Sequence, residues 1–279
     1  MPNQTLTRFR AVSKYLVIVA ALLVFTGWFI NTPPGLLGKA EAIGYSVCHR
    51  ISERSFHIGS YQLPLCARCS GMYLGAVTGL VFQSIAGWKR LKIPHWSIIA
   101  ILVVFFIAFG IDGSNSYLFL LKEVSPGILP KIHNIYIPNN TLRLLTGSGM
   151  GLDIAILLYP AFNQTVWADG VDKPAMNGLK TFGLLVVIQV ILDLLVLTGS
   201  PIVLFPLAII SSLGVWLLLT MVYGMLWVMI TGQDNKYFKI RQLWLPLLAG
   251  LTITMIQTAG IDLIRFWLTH TWGAIPLGD

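Results

Sequence analysis

"IVLFPLAIISSLGVWLLLTMVYGMLWVMIT", residues 202–231, runs for its whole length without one charged side chain. As a helix rising about 1.5 Å per residue it is longer than the roughly 30 Å hydrocarbon core of a bilayer. A helix apolar on every face for that distance is a membrane span rather than a surface helix. Outward from it, further apolar runs lie at 15–31, 71–88, 96–111, 141–162, 181–199 and 243–268. The 279 residues are 56% hydrophobic and 11% charged, where soluble domains carry about 25% charge. The expected fold is all-α: a polytopic helical membrane protein of about seven transmembrane helices, one membrane domain over 1–279. A folded extracytoplasmic connector joins the first two spans. "TRFRAVSKYLVIVAALLVFTGWFI" (7–30) starts like a signal sequence, but "NTPPGLL" follows instead of a small-residue cleavage site, so it reads as a retained first helix. Trp28, Trp88, Trp96, Trp244 and Trp267 fall near span ends, as an aromatic belt requires.

The net charge of +8 would suggest nucleic acid in a soluble chain; in a membrane protein it marks cytoplasmic loops and contacts with anionic lipid, and no nucleic-acid partner is expected. Arg8, Arg10, Lys14, Lys89, Arg90, Lys92, Lys173, Lys180, Lys236, Lys239 and Arg241 all fall on one side of the seven spans. That side should be the cytoplasm, with the N-terminus inside and the C-terminus outside. Opposite lie Lys39, Arg50, Arg54, Arg68, Lys122 and Lys131. Several spans bring polar groups to that outer layer: Asp112 in "GIDGSNS", read as a turn closing the third span; Asn140, Arg143 and Thr146; Gln189 and Asp193; Gln257, Asp262 and Arg265. Ionisable groups in lipid are costly, so each is a functional candidate.

The connector contains "CHRISERSFHIGSYQLPLCARCSG" (48–71), with every cysteine of the chain. Cys66 and Cys69 form a C-x-x-C pair, and Cys48 with His49 stands upstream. Three thiolates and an imidazole suit tetrahedral zinc, so Cys48, His49, Cys66 and Cys69 are the candidate ligands, with His57 or Glu53 as substitutes for His49. The same pair could instead cycle between thiol and disulfide on an oxidising outer face, or serve as an inert staple. If "SVCHRISERSF" is helical, Arg50 and Arg54 share a face. Arg50, Arg54, Arg68, Arg143 and Arg265, with Asn140 and Thr146, are the candidates to bind an anionic lipid-like ligand, because arginine forks match phosphate. Internal pairs compete with that reading: Arg265 with Asp262, Arg54 with Glu53 or Asp112, and Arg143 with Asp193. Gly71, Gly75 and Gly79, and Gly147 with Gly151, read as close helix packing.

These residues resemble a family of bacterial and archaeal membrane proteins of unknown function. That family joins Cys-His, Glu-Arg-Ser-Phe, Pro-x-Cys-x-Arg-Cys-x-Gly-x-Tyr, Asp-Gly and Asn-x-x-Arg-x-x-Thr-Gly. The resemblance covers about residues 40–155. It implies a prokaryotic plasma membrane and matches Cys48, His49, Glu53, Arg54, Cys66, Arg68, Cys69, Gly71, Asp112, Asn140, Arg143 and Thr146, but brings no activity with it. The leading expectation is a metal-dependent membrane enzyme acting on an anionic lipid or isoprenoid phosphate, with zinc as cofactor, membrane lipids as partners, and Asp112 or Glu53 moving the proton. A thiol–disulfide oxidoreductase using Cys66 and Cys69 is the second. A transporter with Asp153, Asp193 and Asp262 as stations is the third.

Overall fold

The computed structural model describes residues 4–125, 127 and 132–273, with no side chains for 4–12. Lys131, the side chains of Arg8 and Arg10, and the C-terminus at 274–279 therefore lie outside the described residues. Eight α-helices form: α1 Gln4–Asn31, α2 Gly35–Val47, α3 Ala67–Ala86, α4 Trp96–Val124, α5 Asn140–Val166, α6 Leu179–Leu197, α7 Pro201–Ile230 and α8 Trp244–Thr269. Seven of them, all but α2, are long and apolar enough to cross a membrane. Their outer faces carry side chains such as Ile202, Ile230 and Ile85 at 80% exposure or more, which only a lipid solvent tolerates in such number.

The centre of the bundle is the α3–α5 pair. A Cβ on Gly147 would stand 2.2 Å from the Arg68 carbonyl oxygen, on Gly151 2.1 Å from that of Met72, and on Gly79 2.6 Å from the Ala155 Cβ. Contact positions rise together along both chains, so the helices run parallel with their N-termini side by side. Small residues allow this approach and van der Waals packing holds it, as the glycine spacing predicts.

At one end the loops after α3, α5 and α7 are stitched together. Strand β3 (Arg90–Lys92) pairs in parallel with β4, Val171–Pro174. Lys89 bonds Asp169 at 2.7 Å, Tyr237 bridges to Trp167, and Lys14 lies over the Trp244 ring. Lys14, the β3 and β4 lysines and the α7–α8 loop thus share an end, as the charge count expects.

The connector at the other end is not purely helical. After α2 it makes a 3-10 turn, Ser52–Arg54, and an antiparallel hairpin of β1 (Ser55–Ile58) and β2 (Tyr61–Cys66). The conditional helix through "SVCHRISERSF" is therefore corrected: α2 stops at Val47, and Arg50 takes φ +55°. The third span is also corrected. Helix α4 runs straight through Asp112–Asn115 to Val124 instead of turning. Turn-forming side chains compete for the backbone only when they lack other partners. Here Asp112, Asn115 and Ser116 are buried, and all three find partners across the fold. Trp28 is no belt residue either: it is buried and donates to Asp262 at 3.1 Å.

Candidate metal and anion site

Helix α2 lies so close on β2 that a Cβ at Gly44 would stand 2.1 Å from the Pro64 carbonyl oxygen. That approach brings Cys48, which ends α2, to Cys66, the N-cap of α3; Cys69 follows in the first turn of α3. The Cys66 amide donates to the Cys48 sulfur at 3.3 Å, and the ligand atoms of Cys48, Cys66 and Cys69 all lie within 4.8 Å of one another. All three thiols are free of disulfide bonds. Hydrogen bonds from the Cys66 and Cys69 thiols hold Cys48 well below the usual thiol range, while Cys66, bonded to Cys48, is pushed up to about 12.

His49 is not part of this group. Its Nδ1 accepts the Ile51 amide at 3.1 Å, and burial pushes its imidazole below the ordinary range. His49 lies between two fields, Cys48 on one side and Arg54, Arg68 and Arg143 on the other. The substitutes do not join either: His57 bonds Ser52 at 3.0 Å, and Glu53 is exposed on the 3-10 turn.

The arginines divide into two sets. Arg50 is buried, ion-paired to Glu41 and bonded to the Trp272 carbonyl. Arg265 reaches from α8 to the carbonyls of Tyr45, Cys48 (2.6 Å) and His49 (3.4 Å), with its plane 3.9 Å from the centre of the Tyr45 ring. Both are engaged by protein acceptors, and Arg265 also caps the end of α2; the structure therefore turns them away from the ligand role expected of them. The second set is Arg54, Arg68 and Arg143, whose charges act on one another. Arg68 is ion-paired with Asp112 and donates to Ser116 at 3.0 Å. Arg143 donates to Asn140 at 2.9 Å, while its buried Nε has no partner. No side-chain hydrogen bond or ion pair of Arg54 occurs among the described residues, and burial lowers its pKa. The pairs Arg54–Asp112 and Arg143–Asp193 do not form; Asp193 bonds Ser148 and Gln189 instead.

Asp112 is the one carboxylate bonded within this set. It also accepts from Tyr136 at 2.7 Å and Thr146 at 3.3 Å. Burial and this bond push Tyr136 up to about 12. Asn140 donates to the Glu53 carbonyl at 3.2 Å and so ties the 3-10 turn to α5. Glu41, Tyr136 and Trp272 escaped the sequence reading because no motif spacing marks them.

Fold and site together define a polytopic helical membrane protein with a thiol cluster beside a basic basin at one end of its bundle. Residues 48–157 match the family described as "Predicted membrane protein (DUF2085)". An uncharacterised protein of Methanocaldococcus jannaschii is 24% identical over 167 residues, 55% of this chain and 95% of its own. One of Methanothermobacter thermautotrophicus is 30% identical over 111 residues, 40% of this chain and 83% of its own. The chain belongs to this family of membrane proteins. No solved structure matches it.

Proposed function

We propose that the protein is a membrane enzyme of the extracytoplasmic face, with a zinc ion held by Cys48, Cys66 and Cys69 and an anionic, phosphate-headed lipid as substrate. The observation that supports it most is the convergence of three sulfurs, Cys48 and Cys66 buried and Cys69 partly so, with no fourth His, Cys, Asp or Glu among the described residues. Tetrahedral zinc with bonds of about 2.3 Å puts its sulfurs about 3.8 Å apart, so the triad needs to contract by 1 Å at most. Structural zinc sites use four protein ligands, whereas three leave a position free for water or substrate. Bound there, the ion supplies Lewis acidity toward a phosphoryl oxygen.

The chain's own groups supply the rest. Arg54 and Arg143, neither ion-paired among the described residues though Glu123 and Asp112 act on their charges, hold the phosphate. The N-termini of α3 and α5 open on the same end and favour an anion. Asp112 aims Arg68 and keeps it extended, which makes it a positioning residue. Glu53, next to Arg54 and exposed, is left as the group that moves a proton. The second reading, a thiol–disulfide exchanger, draws on the C-x-x-C pair Cys66 and Cys69 with the lowered thiol of Cys48 beside it.

Metal analysis and thiol titration of the purified protein separate the two. About one zinc per chain, lost in Cys66→Ser, is expected. Three freely titratable thiols without metal, together with a mixed disulfide trapped in Cys69→Ser, would sink the zinc reading and favour exchange.

A further inference from the structure

A cavity of about 260 Å³ opens between α4, α5 and α6, below the arginine basin. Phe105 and Ala108 on α4, Leu145 and Leu152 on α5, and Val186 and Val190 on α6 give it apolar walls. None of the three basin arginines lines it, and Thr146 is its link to them. Thr146 lines it and bonds Asp112, and Asp112 follows Ala108 by four residues on the same face of α4. From Leu145 to Leu152 the cavity spans about 10 Å of helix. This is the shape of a slot for the first stretch of a chain whose head lies among Arg54, Arg68 and Arg143.

The wall also carries polar groups that a plain hydrocarbon slot does not need. Ser148 donates to Asp193 at 2.7 Å, and the Gln189 amide donates to Asp193 at 2.9 Å and to Ser148 at 3.2 Å. All three are at least 98% buried and line the cavity. With its amide nitrogen turned to the carboxylate, Gln189 leaves its carbonyl oxygen buried in the cavity wall, and that atom has no partner. Swapping the amide would set oxygen against oxygen at Asp193, so the orientation is fixed by its neighbour. A buried acceptor without a donor is costly, and a ligand that brings the donor recovers that cost.

We propose that this cavity holds the upper chain of a membrane lipid with a phosphate head, and that Gln189 selects lipids bearing a hydroxyl or amide N–H just below the head. The inference rests on the basin holding the phosphate, as proposed above. The test uses two phosphate monoesters of equal chain length in zwitterionic nanodiscs: ceramide phosphate, with amide and hydroxyl donors, and phosphatidic acid, with esters only. Binding of each to the full-length protein is measured by displacement.

The wild type is expected to prefer ceramide phosphate at least fivefold. Gln189→Leu should remove the preference while phosphatidic acid binds as before, and Arg143→Gln should weaken both lipids with the ratio kept. If neither lipid binds the wild type, the basin reading fails and takes this one with it. Equal binding of both by the wild type, or a preference that survives Gln189→Leu, overturns the selection by Gln189 alone. Should Gln189→Leu not fold, the wild-type ratio still decides.

Discussion

Replacing Asp112 by Ala removes the acceptor that fixes Arg68. Asp112 is 1% exposed and the Arg68 side chain 20% exposed, so the arginine loses its counter-charge in a largely dry site. Breaking a buried pair from one side costs about 3–5 kcal/mol; the partial exposure of Arg68 places this case near the lower end, about 3 kcal/mol. Tyr136 and Thr146 lose the same acceptor but sit nearer the surface, where water replaces it. At about 2–4 °C per kcal/mol, the melting temperature in detergent should fall by about 6–12 °C, read by the fluorescence of the nine tryptophans. The double variant Arg68→Met with Asp112→Leu removes both charges and should lose less than Asp112→Ala alone. A drop below about 2 °C in the single variant, or a double variant that is worse than the single, would refute the claim that Asp112 exists to hold Arg68.

Gly151→Ala puts a Cβ 2.1 Å from the Met72 carbonyl oxygen and should cost about 1–3 kcal/mol as overpacking. Gly183→Ala, with nothing within 4 Å, should cost nothing, and equal melting of the two contradicts the α3–α5 packing. Tyr136, with its hydroxyl ordinarily titrating near 10.0 and raised to about 12, adds stability that is whole below pH 10 and is lost between about pH 10 and 12. Tyr136→Phe should therefore flatten that alkaline limb of the stability profile; an unchanged limb rejects the raised titration that burial and the bond to Asp112 together give Tyr136. The cysteine end should face outward: Ile137→Cys, 80% exposed in the wild type, should react with a membrane-impermeant maleimide on intact cells, and Ile93→Cys, at the basic end, only after lysis. The reverse pattern inverts the topology.

The seven spans were legible because lipid imposes one rule on every residue of a span, and the rule shows as length and apolarity. The glycine repeats were legible for a similar reason: only small residues permit that approach. The third span was misjudged at Asp112 because the tendency of Asp-Gly-Ser-Asn to turn is local, whereas its partners are not. Arg68 lies 44 residues away from Asp112, and Tyr136 reaches it from beyond the end of the helix. The arginines could be gathered at one end by counting charges. Which of them were already committed could not, since Arg50 pairs with Glu41 and the Trp272 carbonyl and Arg265 with carbonyls at the end of α2, partners that no sequence pattern marks. The three cysteines announced themselves by spacing, whereas His49, adjacent to Cys48, could face the sulfurs or its own backbone, and it took the Ile51 amide.

Arg265 and the family boundary bear on each other. All three cysteines and the three basin arginines fall inside residues 48–157, yet the side chain that clasps the Cys48 carbonyl comes from α8, far outside that stretch. Val215 of α7 and Met255 of α8 share a core cluster with Cys48 and Cys66, and they too lie outside the matched stretch. The thiols and the basin arginines therefore lie within the matched stretch, and part of what holds Cys48 in place comes from outside it. The Methanothermobacter relative, whose 111 matched residues make up 83% of its length, is less than half as long as this chain. In this chain, then, one thiol is set in place by a side chain 217 residues further along, so the matched stretch leans on what lies outside it.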